Sequence, residues 1–273
     1  MFVDLAAKAQ LDFTLIEPRM ATVAELSRVH SPRYISEVVD ENRCAQWSGE
    51  RRDLSKLATY FAGGTLTALE LLLQGKTQTA IHFPGAKHHA QFDYSSGFCV
   101  FADFALAADI ATKDFGKRVA ILDIDAHHGD GTENLTLDNL KIITYSVHEN
   151  GIFPGTGLVD IPEKFAFNAA LASSSNDSHL VKAVQRFLDL CQDFKPDLIF
   201  VACGADGYIE DPLSSLRYTV KGFKEVAQML RAAYPSLPML IGGAGGYLPD
   251  TYTPEMWAHF AIQIVENNPL TPI

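Results

Sequence analysis

Five short runs of consecutive apolar residues constrain this chain more than any other feature. They are Thr79-Ala80-Ile81-His82-Phe83, residues 119–124, residues 142–147, Leu198-Ile199-Phe200-Val201-Ala202 and Met239-Leu240-Ile241. Many of these residues are β-branched. Continuous apolar runs of this kind suit strands of a parallel sheet buried on both faces. Stretches with apolar spacing of three to four residues lie between them, at 57–73, 101–113, 178–194 and 220–233. The alternation predicts a three-layer α/β/α fold with a mostly parallel central sheet and right-handed crossovers.

Each predicted strand is followed by an unusual polar cluster. His88-His89 follows the first, and Asp125, His127 and Asp130 follow the second. His148 ends the third, Asp206 follows the fourth and Gly245-Gly246-Tyr247 follows the fifth. Ligands of open parallel sheets bind at the carboxyl ends of the strands, so these clusters are expected to meet at one rim.

Composition bounds the rest. A chain of 273 residues, 47% apolar, can bury one core of ordinary size. No linker or internal repeat divides it, so residues 1–273 are read as a single domain. The polar segment Ala172–Ser178 reads as a loop ending in a helix cap. The net charge of −11 disfavours nucleic acid and anionic lipid, and suits a basic substrate. The four cysteines form no C-x-x-C pair and read as reduced thiols in a cytoplasmic protein. Residues 1–13 do not resemble a secretory signal, and no apolar stretch is long enough to span a bilayer. Association into a homo-oligomer is left open.

The rim residues suggest chemistry. Asp125 and His127 lie two apart at a strand end, where side chains alternate, so both can point the same way. With Asp206 they make a two-Asp, one-His set with open positions. That suits a catalytic divalent metal, most naturally zinc, with iron(II) as the other choice. Asp123 and Asp130 are candidate carboxylate partners for the tandem pair His88 and His89. One imidazole can then serve as general base while the other holds a proton. Tyr247, on a glycine-rich turn, can donate to a developing oxyanion. Together these parts describe metal-assisted amide hydrolysis. Cys99, Cys203, His30 and His82 read as structural.

The stretch Ile121-Leu122-Asp123-Ile124-Asp125-Ala126-His127-His128-Gly129-Asp130-Gly131-Thr132 resembles the signature of the histone deacetylase superfamily, of the arginase-deacetylase fold. That superfamily includes acetoin-utilisation proteins and acetylpolyamine amidohydrolases. Further matches follow in the same order: Pro84–Ala90, Ser96–Cys99, Phe153–Gly157, Gly204–Asp206 and Gly243–Tyr247. The resemblance covers roughly residues 20 to 265. It implies zinc ligands at Asp125, His127 and Asp206, and tandem catalytic histidines at His88 and His89. It pairs His88 with Asp123 and His89 with Asp130, and gives Tyr247 the scissile carbonyl. Phe98 and Phe153, with Gly97 beside them, would wall a substrate tunnel. A structural potassium ion would be held by Asp123, Ser146 and the carbonyls of Asp125, His127 and Val147.

The implied substrate is an acylated lysine in a protein or peptide, or an acylated polyamine or other small amine. The family's earlier segment, with an opening strand and a His-Pro-Glu loop, is not found before Ala21, so a shortened N-terminus is expected. Ala86 and Ala244 stand where glycine is frequent in the family. Arginase-like enzymes of the same fold carry carboxylates at two positions that are Gly129 and Tyr208 here, which argues for one metal rather than two. The competing reading is a non-catalytic acyl-group binder or scaffold.

Overall fold

The predicted strands all form, and a sixth joins them. The computed structural model describes residues 2–45 and 53–266; the remaining parts of the expected 1–273 domain lie outside the described residues. The strands are β1 (Thr79–His82), β2 (Val119–Asp123), β3 (Ile142–Glu149), β4 (Ala166–Leu171), β5 (Leu198–Ala202) and β6 (Met239–Gly242). They make one sheet in the order β1-β6-β5-β2-β3-β4, and every pairing is parallel.

Strand side chains alternate between faces, and the two faces build two cores. Val119, Ile121, Phe200 and Leu240 pack with helices Leu54–Leu73 and Asp103–Lys113. Ala120, Leu122, Ile143, Val201 and Ile241 pack with helices Asp177–Phe194, Val220–Ala233 and Tyr252–Glu266. Each fully buried aliphatic or aromatic side chain contributes roughly 1.5–3 kcal/mol. The helix Asp177–Phe194 starts at the expected cap, where the Asn176 side chain accepts from Ser178 N at 3.2 Å. Among the described residues, no helix is long and apolar enough to cross a membrane.

The strand order places the site. From β2 the chain moves outward to β3 and β4, then returns to β5 on the other side of β2 and moves outward to β6. Beyond the carboxyl ends of β2 and β5 the connections therefore part, leaving a crevice where ligands bind in such sheets. Asp125 and His127 follow β2, and Asp206 follows β5.

Behind this crevice His30 holds two turns together. It is 1% exposed. Ala102 N donates to its Nε2 at 2.9 Å, so Nδ1 carries the proton and donates to the Gln91 carbonyl at 2.9 Å. Burial lowers its pKa to about 4. An unfolded histidine titrates near 6.5, so below that pH the unfolded chain binds a proton that the folded chain refuses. The stabilisation is complete above pH 6.5 and is lost as pH falls from 6.5 towards 4. Between pH 7 and pH 5 this should cost about 2 kcal/mol. Denaturant unfolding of wild type and His30→Asn at both pH values measures it. The wild type should lose about 2 kcal/mol more than the variant; equal losses would refute the assignment.

Candidate active site

Two buried carboxylates converge on one imidazole. Asp125 and Asp206 are both 0% exposed. His127 Nδ1 lies 3.1 Å from Asp125 Oδ1 and 2.8 Å from Asp206 Oδ2. One ligand atom from each of the three falls within 4.8 Å of the others, the one such group among the described residues. Backbone donors hold the carboxylates in place. Gly245 N donates to Asp125 Oδ2 at 2.6 Å, and Ala126 N to Asp206 Oδ1 at 2.8 Å. The ends of β2, β5 and β6 are thus tied together through the ligand set.

The electrostatics of this set call for a cation. Burial alone would lower His127, but its bonds to Asp125 and Asp206 raise it to about 11. Burial, and then the charge on Asp125, push Asp206 up to about 7. Burial also opposes ionisation of Asp125, yet His88 and His127 hold it well below the carboxylate range. A proton on His127 here stands in for positive charge that a divalent metal would supply. The donor set, two carboxylate oxygens and one imidazole nitrogen in a dry interior, fits such an ion.

The tandem histidines sit beside this set, each with the expected partner. His88 Nδ1 is 2.7 Å from Asp123 Oδ2, and His89 Nδ1 is 2.7 Å from Asp130 Oδ1. Their ring centroids are 4.0 Å apart. Burial would lower His88, but the charges of Asp123 and Asp125 outweigh it and raise His88 to about 9. Burial, and then the charge on His88, lower His89 to about 4. Burial and neighbouring charge therefore push two adjacent, chemically identical side chains in opposite directions.

The remaining predicted residues surround these groups. The Tyr247 ring lies 6.5 Å from His127 and 6.1 Å from Phe98. Burial, followed by the charges of Asp125 and Asp206, raises the Tyr247 phenol, so it stays a donor. Phe153 lies 4.9 Å from His89 and 6.4 Å from His127. Phe98 and Phe153 are 57% and 50% exposed, two half-exposed rings at the mouth. Gly97 lies against His89, where a Cβ would fall 2.2 Å from the ring. At Gly129 a Cβ would meet Asp123 Oδ2 at 2.4 Å, so this position has no room for a second-metal carboxylate. Ser146 pairs in register with Asp123, and its Oγ lies 3.0 Å from His148 Nδ1. The Val147 side chain is in the core.

Three residues that sequence reasoning passed over help to build the site. Asp103 accepts from the backbone of Ala86 at 2.8 Å and of Lys87 at 2.6 Å, fixing the turn that leads into His88. Gln91 Nε2 donates to Asp130 Oδ2 at 2.8 Å. Asp211 Oδ2 accepts from Tyr247 N at 2.8 Å. Ala86 and Ala244, the two glycine replacements, both lie in the left-handed region, at φ 60° and 56°. An L-residue there costs roughly 1–2 kcal/mol.

Known proteins are similar in sequence over almost the whole chain. The acetoin utilization protein AcuC of Staphylococcus aureus (strain MRSA252) is 29% identical over 276 residues, covering 92% of this chain and 71% of the relative. AcuC of Bacillus subtilis (strain 168) is 32% identical over 279 residues, covering 93% and 72%. AcuC of Staphylococcus xylosus is 27% identical over 281 residues, covering 94% and 73%. The family model described as the histone deacetylase domain matches residues 2–263. The chain therefore belongs to the histone deacetylase family and is a deacetylase, a hydrolase acting on amide bonds.

Proposed function

We propose that this protein removes acetyl or other short acyl groups from an acylated amine, most naturally the side chain of acetyl-lysine, with zinc at Asp125, His127 and Asp206. The observation that carries the reading is the buried Asp-His-Asp set beside two tandem histidines, each bonded through Nδ1 to its own carboxylate. When bound there, the metal supplies Lewis-acid polarisation of the scissile carbonyl and of water. His89 is the unprotonated imidazole and takes the proton of the attacking water, with Asp130 holding its Nδ1–H. His88, protonated and braced by Asp123, supplies positive charge beside the developing oxyanion. Tyr247 donates its phenolic hydrogen to that oxyanion. His89 then passes its proton to the leaving amine.

Phe98 and Phe153 offer two aromatic faces to an aliphatic stem such as that of lysine. The net charge of −11 favours a basic substrate. The backbone around Asp123 and Ser146 is the proposed seat of a structural potassium ion.

The purified protein, loaded separately with zinc and with iron(II), should be assayed on an acetyl-lysine peptide, an acetylpolyamine and a small acylated amine. Hydrolysis of the peptide is expected. Tyr247→Phe should lower kcat by roughly 10²–10³, and Asp206→Ala should reduce turnover to background. Failure to hydrolyse any of the three with metal bound would overturn the proposal and favour a binder. Metal removal gives a second measurement. At metal concentrations 100-fold above Kd, binding should stabilise the fold by about 2.7 kcal/mol, lost on chelation and restored on re-addition. Asp206→Ala should show no such response.

A further inference from the structure

Phe153 stands edge-to-face with His89 and beside His127, yet half its surface is exposed. Its place therefore depends on the loop that carries it, between β3 and the turn Pro162–Lys164. A side-chain hydrogen bond ties that loop to the catalytic stretch. Thr156 Oγ1 lies 2.8 Å from His128 Nδ1. His128 directly follows the ligand residue His127 and is 2% exposed. On its other side, His128 Nε2 lies 3.3 Å from Glu133 Oε2.

The partners set the direction of these bonds. A carboxylate only accepts, so Nε2–H donates to Glu133 and leaves the Nδ1 lone pair for the Thr156 hydroxyl. Burial would raise Glu133, but its bond to His128 and others lower it, so it stays ionised. Asn168, on β4, donates to the same Glu133 oxygen at 2.9 Å and keeps it in place. The His148 ring supports His128 from β3, with centroids 4.8 Å apart. The loop also rests on the His128 ring. At Gly157, with φ 73°, a Cβ would come within 2.4 Å of His128 Cδ2.

We propose that His128 is a positioning residue: through Thr156 it sets the loop that holds Phe153 over His89, and so sets how tightly substrate is held. The assignment of Phe153 to the substrate wall rests on the function proposed above; the mechanical link from His128 to the loop does not. His128 touches no reacting atom. It acts on binding rather than on the chemical step.

Thr156→Val tests this, because it keeps the shape of an exposed side chain and removes the hydroxyl. Losing one such bond should raise KM about threefold to tenfold, with kcat within about twofold of wild type. Hydrogen exchange of the loop amides at 152–158 should accelerate, while bound metal and the unfolding temperature stay unchanged. Thr156→Ser should restore both KM and exchange. Gly157→Ala, which pushes the loop off the His128 ring, should raise KM in the same way. Unchanged KM and exchange in Thr156→Val would overturn the proposal, as would a fall in kcat alone. If wild type hydrolyses no acyl-amide, the proposed function fails, and the exchange measurement still decides whether His128 holds the loop.

Discussion

Two carboxylates side by side in a dry interior repel each other and resist desolvation, and this pair organises the molecule around it. Asp125 and Asp206 are fully buried and share His127. Leaving such charges uncompensated costs several kcal/mol per ion. Part of the compensation is built into the backbone, through the amides of Ala126 and Gly245. The rest falls to a positive charge between them. A sheet that brings β2, β5 and β6 together can meet that requirement, because the three strand ends deliver ligands and amides to one point.

The same field reaches the tandem histidines. His88 faces Asp123 and lies 3.7 Å from Asp125, so it gains more from ionising than burial takes away. At His89, burial and then the charge on His88 outweigh the bond to Asp130 and lower it. In the proposed mechanism the division of labour follows from position rather than from residue type. It needs no difference between the two side chains themselves, only the order in which the chain presents them.

Much of this was legible in the sequence, for identifiable reasons. β2 and β5 are apolar on both faces, and a doubly buried strand has no alternative use for such a run. β4 was missed. Its sequence, Ala166-Phe167-Asn168-Ala169-Ala170-Leu171, lies at the sheet edge and is rich in alanine, a weak strand former. Helix Asp130–Thr136 was also missed, since it begins inside the polar signature and has little apolar spacing. His30 and His82 were read as structural. For His30 the hydrogen bonds to Gln91 and Ala102 give the reason. Asp103, Gln91 and Asp211 carry no sequence signal, because Asp103 and Asp211 answer backbone amides and the Gln91 amide answers the Asp130 carboxylate. Such roles depend on where distant turns meet, which no local pattern encodes. Ala86 and Ala244 were noted as departures, but only their backbone angles show that both fall where glycine is favoured.

The position of the strands that lead to Asp125 and Asp206 has a consequence for descent. β2 and β5 are the middle of the sheet, covered on both faces by helices, while Phe98 and Phe153 lie half-exposed on the loops above. Change in the middle disturbs two cores at once. Change at the mouth disturbs neither core, and alters what the mouth can hold. Lineages built on this plan can therefore exchange one acylated amine for another over time while the hydrolytic centre is inherited intact.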